Sequence, residues 1–270
     1  LSLVLVNARI TDRSFKKWKI FRFTAENIFQ KFDICLSSSL KSKNYLKSLG
    51  AKNIKYIGNL KFSQIENSKK DLNKNIRKFF TTKKIWCASS THNSEEKFCA
   101  EVHKKLKFKY KNLLTIIIPR HIHRADKIRS EIQKLDLKVH MHNSKVKIDP
   151  QADVYLVNSF GQTKSFFKIC KIVFLGGSII KHGGQNPLEA VRYGCNVVHG
   201  SNVWNFEEIY SLLKKYEVSN KIMNQDQLTA KIDKIFNMKN NSKKIEIKIK
   251  KLGDKILNST FKEIDFLINQ

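Results

Sequence analysis

The chain has 270 residues, 41% of them hydrophobic, and a formal charge of +29 from 52 Lys and Arg against 23 Asp and Glu. That length suits two lobes, since single cores stop growing near about 250–300 residues, and the composition excludes an extended disordered protein. Five cysteines with no CxxC and no zinc-like spacing argue against a structural metal and for a reducing compartment.

The charge attracts polyanions such as nucleic acid, acidic lipid or phosphorylated substrates. It also has a plainer origin, because Lys, Asn and Ile rise together in stretches such as DLNKNIRKFF and MKNNSKKIEIKIKK, as an AT-rich coding sequence would dictate on solvated faces. The longest apolar runs, 1–6, 113–119 and 172–180, fall short of the roughly 18 residues a spanning helix needs.

In chain order, strands are predicted at 2–6, 33–37, 54–57, 85–88, 113–118, 137–140, 153–157, 171–175 and 196–199. Helices are predicted at 21–31, 40–48, 94–107, 123–135, 187–193, 205–215, 226–237 and 243–267. This alternation specifies an α/β protein with parallel sheets. Residues 62–84, polar and Lys-rich with one weak helical stretch, separate a first block of three strands from a second of about six and mark the domain boundary. The chain starts with Leu1 directly in a strand-like run and has neither a basic lead nor a small-residue cleavage site, so it reads as the continuation of an upstream segment.

Doubly wound sheets bind ligands beyond the carboxyl ends of their strands, where helix N-termini attract anions. After IWCA comes SSTHNSEE. A capping box with Asn93 as N-cap and Glu96 at N3 accounts for its carboxylates, which leaves Ser89, Ser90, Thr91 and His92 to line the strand's mouth. After LLTIII comes PRHIHR, placing Arg120 and His121 where a guanidinium can clamp a phosphate. After KIVFL comes GGSIIKHGGQNPLEA. Gly176 and Gly177 let backbone approach a ligand closely, and Asn186, Pro187 and Glu189 read as N-cap, N1 and N3 of a helix that Gly194 ends. A capping Glu189 would turn back to its own helix, whereas a ribose-binding one would face the cleft. No G-x-G-x-x-G or P-loop is present.

VNARITDRSFKKW (6–18), GNLKFS (58–63), ASSTHNSEE (88–96), IPRH (118–121), FLGGSIIKHGGQNPLEA (174–190) and WNFEEI (204–209) together resemble the Kdo transferases of lipopolysaccharide synthesis. The resemblance implies a GT-B fold of two Rossmann-like doubly wound lobes, the first incomplete: 1–62 as the end of an acceptor-binding lobe, 63–84 as linker, 85–242 as the CMP-sugar-binding lobe and 243–270 as a C-terminal helix. It implies transfer of the acidic sugar Kdo from CMP-Kdo to a lipid A precursor, with inversion and without a metal or cofactor, at the cytoplasmic face of the bacterial inner membrane, held peripherally and without nucleic acid.

In the sites it implies, Ser89, Ser90, Arg120, His121, Gly176, Gly177, Ser178, Asn186 and Glu189 bind the donor. Backbone and Ser178 lie near the phosphate, Glu189 faces ribose hydroxyls and Arg120 neutralises the leaving group. The general base is expected upstream of Leu1. Asn158 and Gln162 stand where the family commonly has carboxylates, and Gln185 and Ile122 also depart from its usual residues, which puts nucleotide contacts from 158–162 in doubt. Two other readings remain: a GT-B enzyme using a UDP-sugar, separable by whether CMP or UDP protects the chain from unfolding, and a basic nucleic-acid binder. The latter has no RRM, KH or OB-like signature behind it.

Overall fold

The computed structural model describes residues 2–64, 71–142 and 147–269; part of the expected linker, 65–70, lies outside the described residues. The chain divides into two compact units, Leu1–Ile65 with Lys248–Gln270, and Glu66–Ile247.

Unit 1 carries β1 (Val4–Ala8), α1 (Asp12–Ile20), α2 (Arg22–Phe29), β2 (Ile34–Ser37), α3 (Leu40–Ser48) and β3 (Ile54–Tyr56). Its three strands form a parallel sheet in the order β1-β2-β3. β2 is buried throughout, as a strand covered on both faces requires. The sequence pattern does not show α1 as a helix. Thr11 caps it, its Oγ1 accepting the Ser14 amide at 3.2 Å, but the helix fully buries no residue, and its apolar stripe is only the half-buried pair Phe15 and Trp18, too short for the pattern to stand out among Lys and Arg.

Unit 2 continues with α4 (Lys74–Thr81), β4 (Lys84–Thr91), α5 (Glu95–Lys107), β5 (Leu113–Pro119), α6 (Ala125–Gln133), β6 (Val139–Met141), β7 (Val154–Leu156), α7 (Thr163–Phe167) and β8 (Ile172–Leu175). It ends with α8 (Leu188–Arg192), β9 (Asn196–His199), α9 (Glu207–Lys215), β10 (Ser219–Lys221) and α10 (Gln225–Asn237). A last helix, α11 (Ser242–Ile268), runs from unit 2 into the C-terminal segment of unit 1. There Gly253 lets it approach Phe62, whose carbonyl oxygen would stand 2.4 Å from an added Cβ.

The expected linker is shorter in the structure. α4 belongs to unit 2, capped by Asn73, and it buries Phe80 against Tyr155 and Phe166 at centroid distances of 5.0 and 6.1 Å. Eight residues carry only two buried positions, Ile76 and Phe80, so a Lys-rich background masks the period.

Seven strands of unit 2 form one sheet, in the order β10-β9-β8-β4-β5-β7-β6, and every neighbouring pair is parallel. β4 lies at the centre: the chain builds outward through β5 on one side and through β8 and β9 on the other. The strand order therefore reverses between β4 and β8, the switch point at which such sheets open a crevice beyond their carboxyl ends. β5 and β8 are buried along their whole length, and on one face of the sheet Trp86, Ile117 and Phe174 pack with Val102 of α5 and Leu228 of α10 in one core.

Candidate functional site at the mouth of the seven-stranded sheet

The site is built where β4, β5 and β8 end. β4 does not end smoothly: its register with β5 slips between Ser89 and Thr91, and Ser90 sits at the bulge with φ of 55°, a left-handed conformation that costs a residue with a Cβ about 1 kcal/mol or more. Ser89 is buried, and its Oγ has no hydrogen-bond partner among the described residues, whereas Ser90 is half-buried. Ser94 follows with φ of 74° as the residue before α5 and makes no side-chain cap.

The expected capping box is absent here, and its two carboxylates have longer-range roles. Glu95 is fully buried and accepts four backbone N–H groups: His92 at 3.0 Å, Gly177 at 2.7 Å, Ser178 at 3.1 Å and Ile179 at 3.0 Å. Glu96, also buried, forms a two-pronged pair with Arg124, Oε1 and Oε2 accepting from the guanidinium at 3.0 and 3.2 Å. Arg124 also donates to Asn93 Oδ1 at 3.3 Å. Burial raises the Glu96 pKa while Arg124 opposes the rise.

These contacts change the reading of the glycine loop. The sequence points to backbone at 176–178 for a phosphate, but the amides of Gly177, Ser178 and Ile179 already donate to the Glu95 carboxylate, an internal anion in the place of an external one. Ser178 is likewise occupied: its Oγ donates to Leu175 O at 2.5 Å and accepts from Gly200 N at 2.8 Å. Gly176 is needed for close packing, since an added Cβ would lie 2.5 Å from Ser90 O and 2.6 Å from Thr91 Cα. Gly184, with φ of 78°, donates to Gly177 O at 2.8 Å and closes the loop on itself.

The WNFEEI stretch braces the loop from outside. Asn205 N donates to Gly183 O at 3.1 Å, and Tyr210, the residue after the stretch, donates from Oη to Gln185 O at 2.9 Å.

α8 opens with Pro187 as its N-cap residue rather than as N1, and Asn186 Oδ1 accepts the Leu188 amide at 3.2 Å, so Asn186 bonds two residues on. Glu189, expected at N3, stands one position earlier in the helix; it is half-buried, with Oε1 3.9 Å from Lys164 Nζ.

The open side of the mouth is cationic and imidazole-rich. Arg120 is exposed, its backbone fixed by the hydrogen bond that its amide N–H donates to Thr91 O at 2.9 Å. His92, which the loop covers, packs its ring 4.2 Å from that of His182 and 5.9 Å from that of His121. Burial, then the neighbouring His182, His121, Arg120 and Arg124, push the His92 pKa down to about 4. The structure thus brings Arg120, His121 and the 176–186 loop to one mouth. It adds Glu95, Arg124 and His182, which sequence reasoning assigned to capping or passed over. Beyond β7, the segment 158–162 turns at Gly161, φ of 75°, leaving Phe160 exposed.

Residues 1–64 match the family model described as 3-deoxy-D-manno-octulosonic-acid transferase (kdotransferase). The chain is 30% identical over 251 residues to a bifunctional glycosyltransferase/methyltransferase of Fusobacterium nucleatum, covering 90% of this chain and 38% of that protein. It is 29% identical over 220 residues to the 3-deoxy-D-manno-octulosonic acid transferase of Haemophilus influenzae, covering 79% and 51%. The chain thus spans about half, or less, of the length of these relatives. In fold it is similar to the C-terminal CMP-Kdo binding domain of WaaA from Acinetobacter baumannii, with a TM-score of 0.59 at 22% identity over 68% of this chain and 94% of that one. The chain is thus similar in sequence to Kdo transferases, and its parallel α/β architecture is that of GT-B glycosyltransferases.

Proposed function

We propose that the chain serves the transfer of Kdo from CMP-Kdo to a lipid A precursor in lipopolysaccharide core synthesis, with unit 2 holding the donor and unit 1 belonging to the acceptor side. The observation that carries this reading is the switch-point mouth of the seven-stranded sheet, where exposed Arg120 and His121 stand beside a loop fixed from within. In the reaction, the acceptor hydroxyl oxygen bonds to the anomeric carbon of Kdo with inversion. The bond from that carbon to the CMP phosphate oxygen breaks, CMP leaves with the electron pair, and the hydroxyl proton passes to a base.

Because the loop amides are committed to Glu95, charge on the departing phosphate falls to side chains, Arg120 first. Gly176, Gly177, Ser178 and Asn186 then shape the mouth, and Glu189 in the first turn of α8 is the acceptor for ribose hydroxyls. The acceptor places the reaction at the cytoplasmic face of the inner membrane.

The test is thermal unfolding with nucleotides. CMP should raise the midpoint while UDP at the same concentration does not. Stabilisation by UDP alone would overturn the donor assignment in favour of a UDP-sugar enzyme.

A further inference from the structure

Four imidazoles lie in a row beyond the end of β4, His182, His92, His121 and His123, with neighbouring rings 4.2, 5.9 and 5.6 Å apart. Among the described residues no group of His, Cys, Asp and Glu converges to hold a metal, so the row needs another account. His92 is the member held most firmly. Its amide donates to Glu95 at 3.0 Å, and only 8% of the residue is exposed.

Gly177 reveals which edge of the His92 ring faces which neighbour. A Cβ added there would lie 3.2 Å from His182 Nδ1, 3.3 Å from Gln185 Nε2 and 3.3 Å from His92 Cδ2, and Gln185 Nε2 stands 3.4 Å from His92 Nε2. The Cδ2–Nε2 edge is therefore turned to the glycine loop. In a five-membered ring the atom opposite that edge is Nδ1, which points away from the loop. No hydrogen bond among the described residues reaches His92 Nδ1, and it is not one of the unpaired polar atoms sealed from solvent, as Ser89 Oγ is.

The same surroundings fix the proton. Burial, then His182, His121, Arg120 and Arg124, push the His92 pKa down to about 4, so the ring is neutral at ordinary pH and carries one N–H and one bare nitrogen. Gln185 turns its NH2 to Nε2, and an amide NH2 only donates, which makes Nε2 the bare nitrogen and leaves the proton on Nδ1. A fixed, uncharged donor that opens on a cationic mouth suits an anionic oxygen. It supplies a hydrogen bond without adding a further positive charge beside Arg120 and Arg124. Such a donor is needed, because the amides of Gly177, Ser178 and Ile179 are taken by Glu95 and a phosphate here has side chains to meet instead.

We infer that His92 donates a hydrogen bond from Nδ1–H to a phosphate oxygen of the nucleotide, and that Gln185 is a positioning residue that keeps the proton on that nitrogen. The inference rests on the donor site proposed above and gives it an uncharged partner beside Arg120. CMP carries the phosphate without the sugar, so the nucleotide alone is the probe.

The full chain with isotopically labelled histidine is followed by long-range proton–nitrogen correlation near neutral pH, and the His92→Phe spectrum identifies the His92 signal by its loss. The free chain should show His92 neutral with its proton on Nδ1, and CMP should move that nitrogen more than Nε2. Calorimetric titration then compares three variants. The Asn amide nitrogen lies as many bonds from the backbone as Nδ1 does, so His92→Asn should stay within about threefold of wild-type affinity for CMP, whereas His92→Phe, which keeps the ring and its packing, should lose about tenfold. Gln185→Leu should mix the two tautomers and weaken CMP about two- to fivefold.

A side chain that acts by packing alone would give the reverse order, with Phe binding as wild type does and Asn losing, and that order overturns the inference. So does a proton found on Nε2 in the free chain. A His92 that keeps its proton wholly on Nδ1 in Gln185→Leu overturns the role of Gln185. The donor assignment is judged separately: if UDP binds and CMP does not, that assignment falls, while the same titrations run with UDP still decide for or against His92. A chain that binds neither nucleotide overturns both.

Discussion

The mouth of the seven-stranded sheet and the α1–α2 surface are both rich in polar and charged residues, and they use them in opposite ways. At the mouth the charges are spent inside the protein: Glu95 and Glu96 are buried, one holding four amides and the other one guanidinium. On α1 no residue is buried, and five cations crowd positions 13–22. Buried charge with satisfied partners fixes a geometry, whereas exposed charge is screened and contributes to stability only weakly. The first region is therefore where substitution should change folding, and the second where it should leave folding nearly unchanged.

The sharpest way to break this contrast is at Glu95. Glu95→Ala removes one acceptor and leaves four amides without it, at the β4 end and in the glycine loop. The expected cost is about 3–5 kcal/mol in urea-monitored unfolding of unit 2. Glu95→Gln keeps one accepting oxygen and turns an NH2 toward amide donors, so about half that loss is expected. An Ala variant as stable as wild type would mean that the loop holds itself. Next comes Arg124→Ala, which leaves Glu96 buried and unpaired and should cost about 3 kcal/mol; adding Glu96→Gln should recover part of it, and a double-mutant cycle measures how much.

How much of this was legible beforehand follows from the range of the contacts. β5 and β8 were plain because a strand covered on both faces is an unbroken apolar run, and the parallel order followed from strand–helix alternation. The mouth was legible as a place, through Arg120 and the two glycine pairs. Glu95 was not. A carboxylate just inside a helix start looks the same whether it caps its own turn or reaches a loop 82 residues on, and local pattern cannot separate the two. The helix α1 was hard to see because only Phe15 and Trp18, both half-buried, mark its inner face among Arg13, Lys16, Lys17 and Lys19.

Acid should widen the contrast by a smaller amount. His199 is buried against Tyr210, with ring centroids 4.2 Å apart, and burial pushes its pKa down to about 4. The unfolded chain, with an imidazole near about 6.5, then binds the proton more readily. The stability is fully present above about pH 6.5 and is lost as pH falls toward 4. Between pH 7 and pH 5 unit 2 should lose about 2 kcal/mol from this residue. His199→Phe should flatten that slope in urea titrations at the two pH values; an unchanged slope would place the acid sensitivity elsewhere. His92, pushed down to about 4 by burial and its cationic neighbours, adds in the same direction.

The smallest stability effect is expected at the residue the proposed chemistry needs most. Arg120 is exposed, and what fixes its position is the backbone bond to Thr91 O at 2.9 Å, which any side chain preserves. Arg120→Ala should therefore leave unfolding within about 0.5 kcal/mol of wild type. CMP binding should respond quite differently. A guanidinium bonded to a phosphate contributes roughly 1.5–3 kcal/mol, so calorimetric titration should show affinity about ten- to a hundredfold weaker. Arg120→Lys, which keeps the charge and loses the planar fork, should fall between. Glu189→Gln tests the ribose end of the same nucleotide and should weaken CMP to a similar degree while leaving Arg120 in place. An Arg120→Ala variant that binds CMP as wild type does would remove that side chain from the donor site. The phosphate would then have to meet the imidazoles of His121 and His182 instead, and His121→Ala should weaken CMP where Arg120→Ala does not.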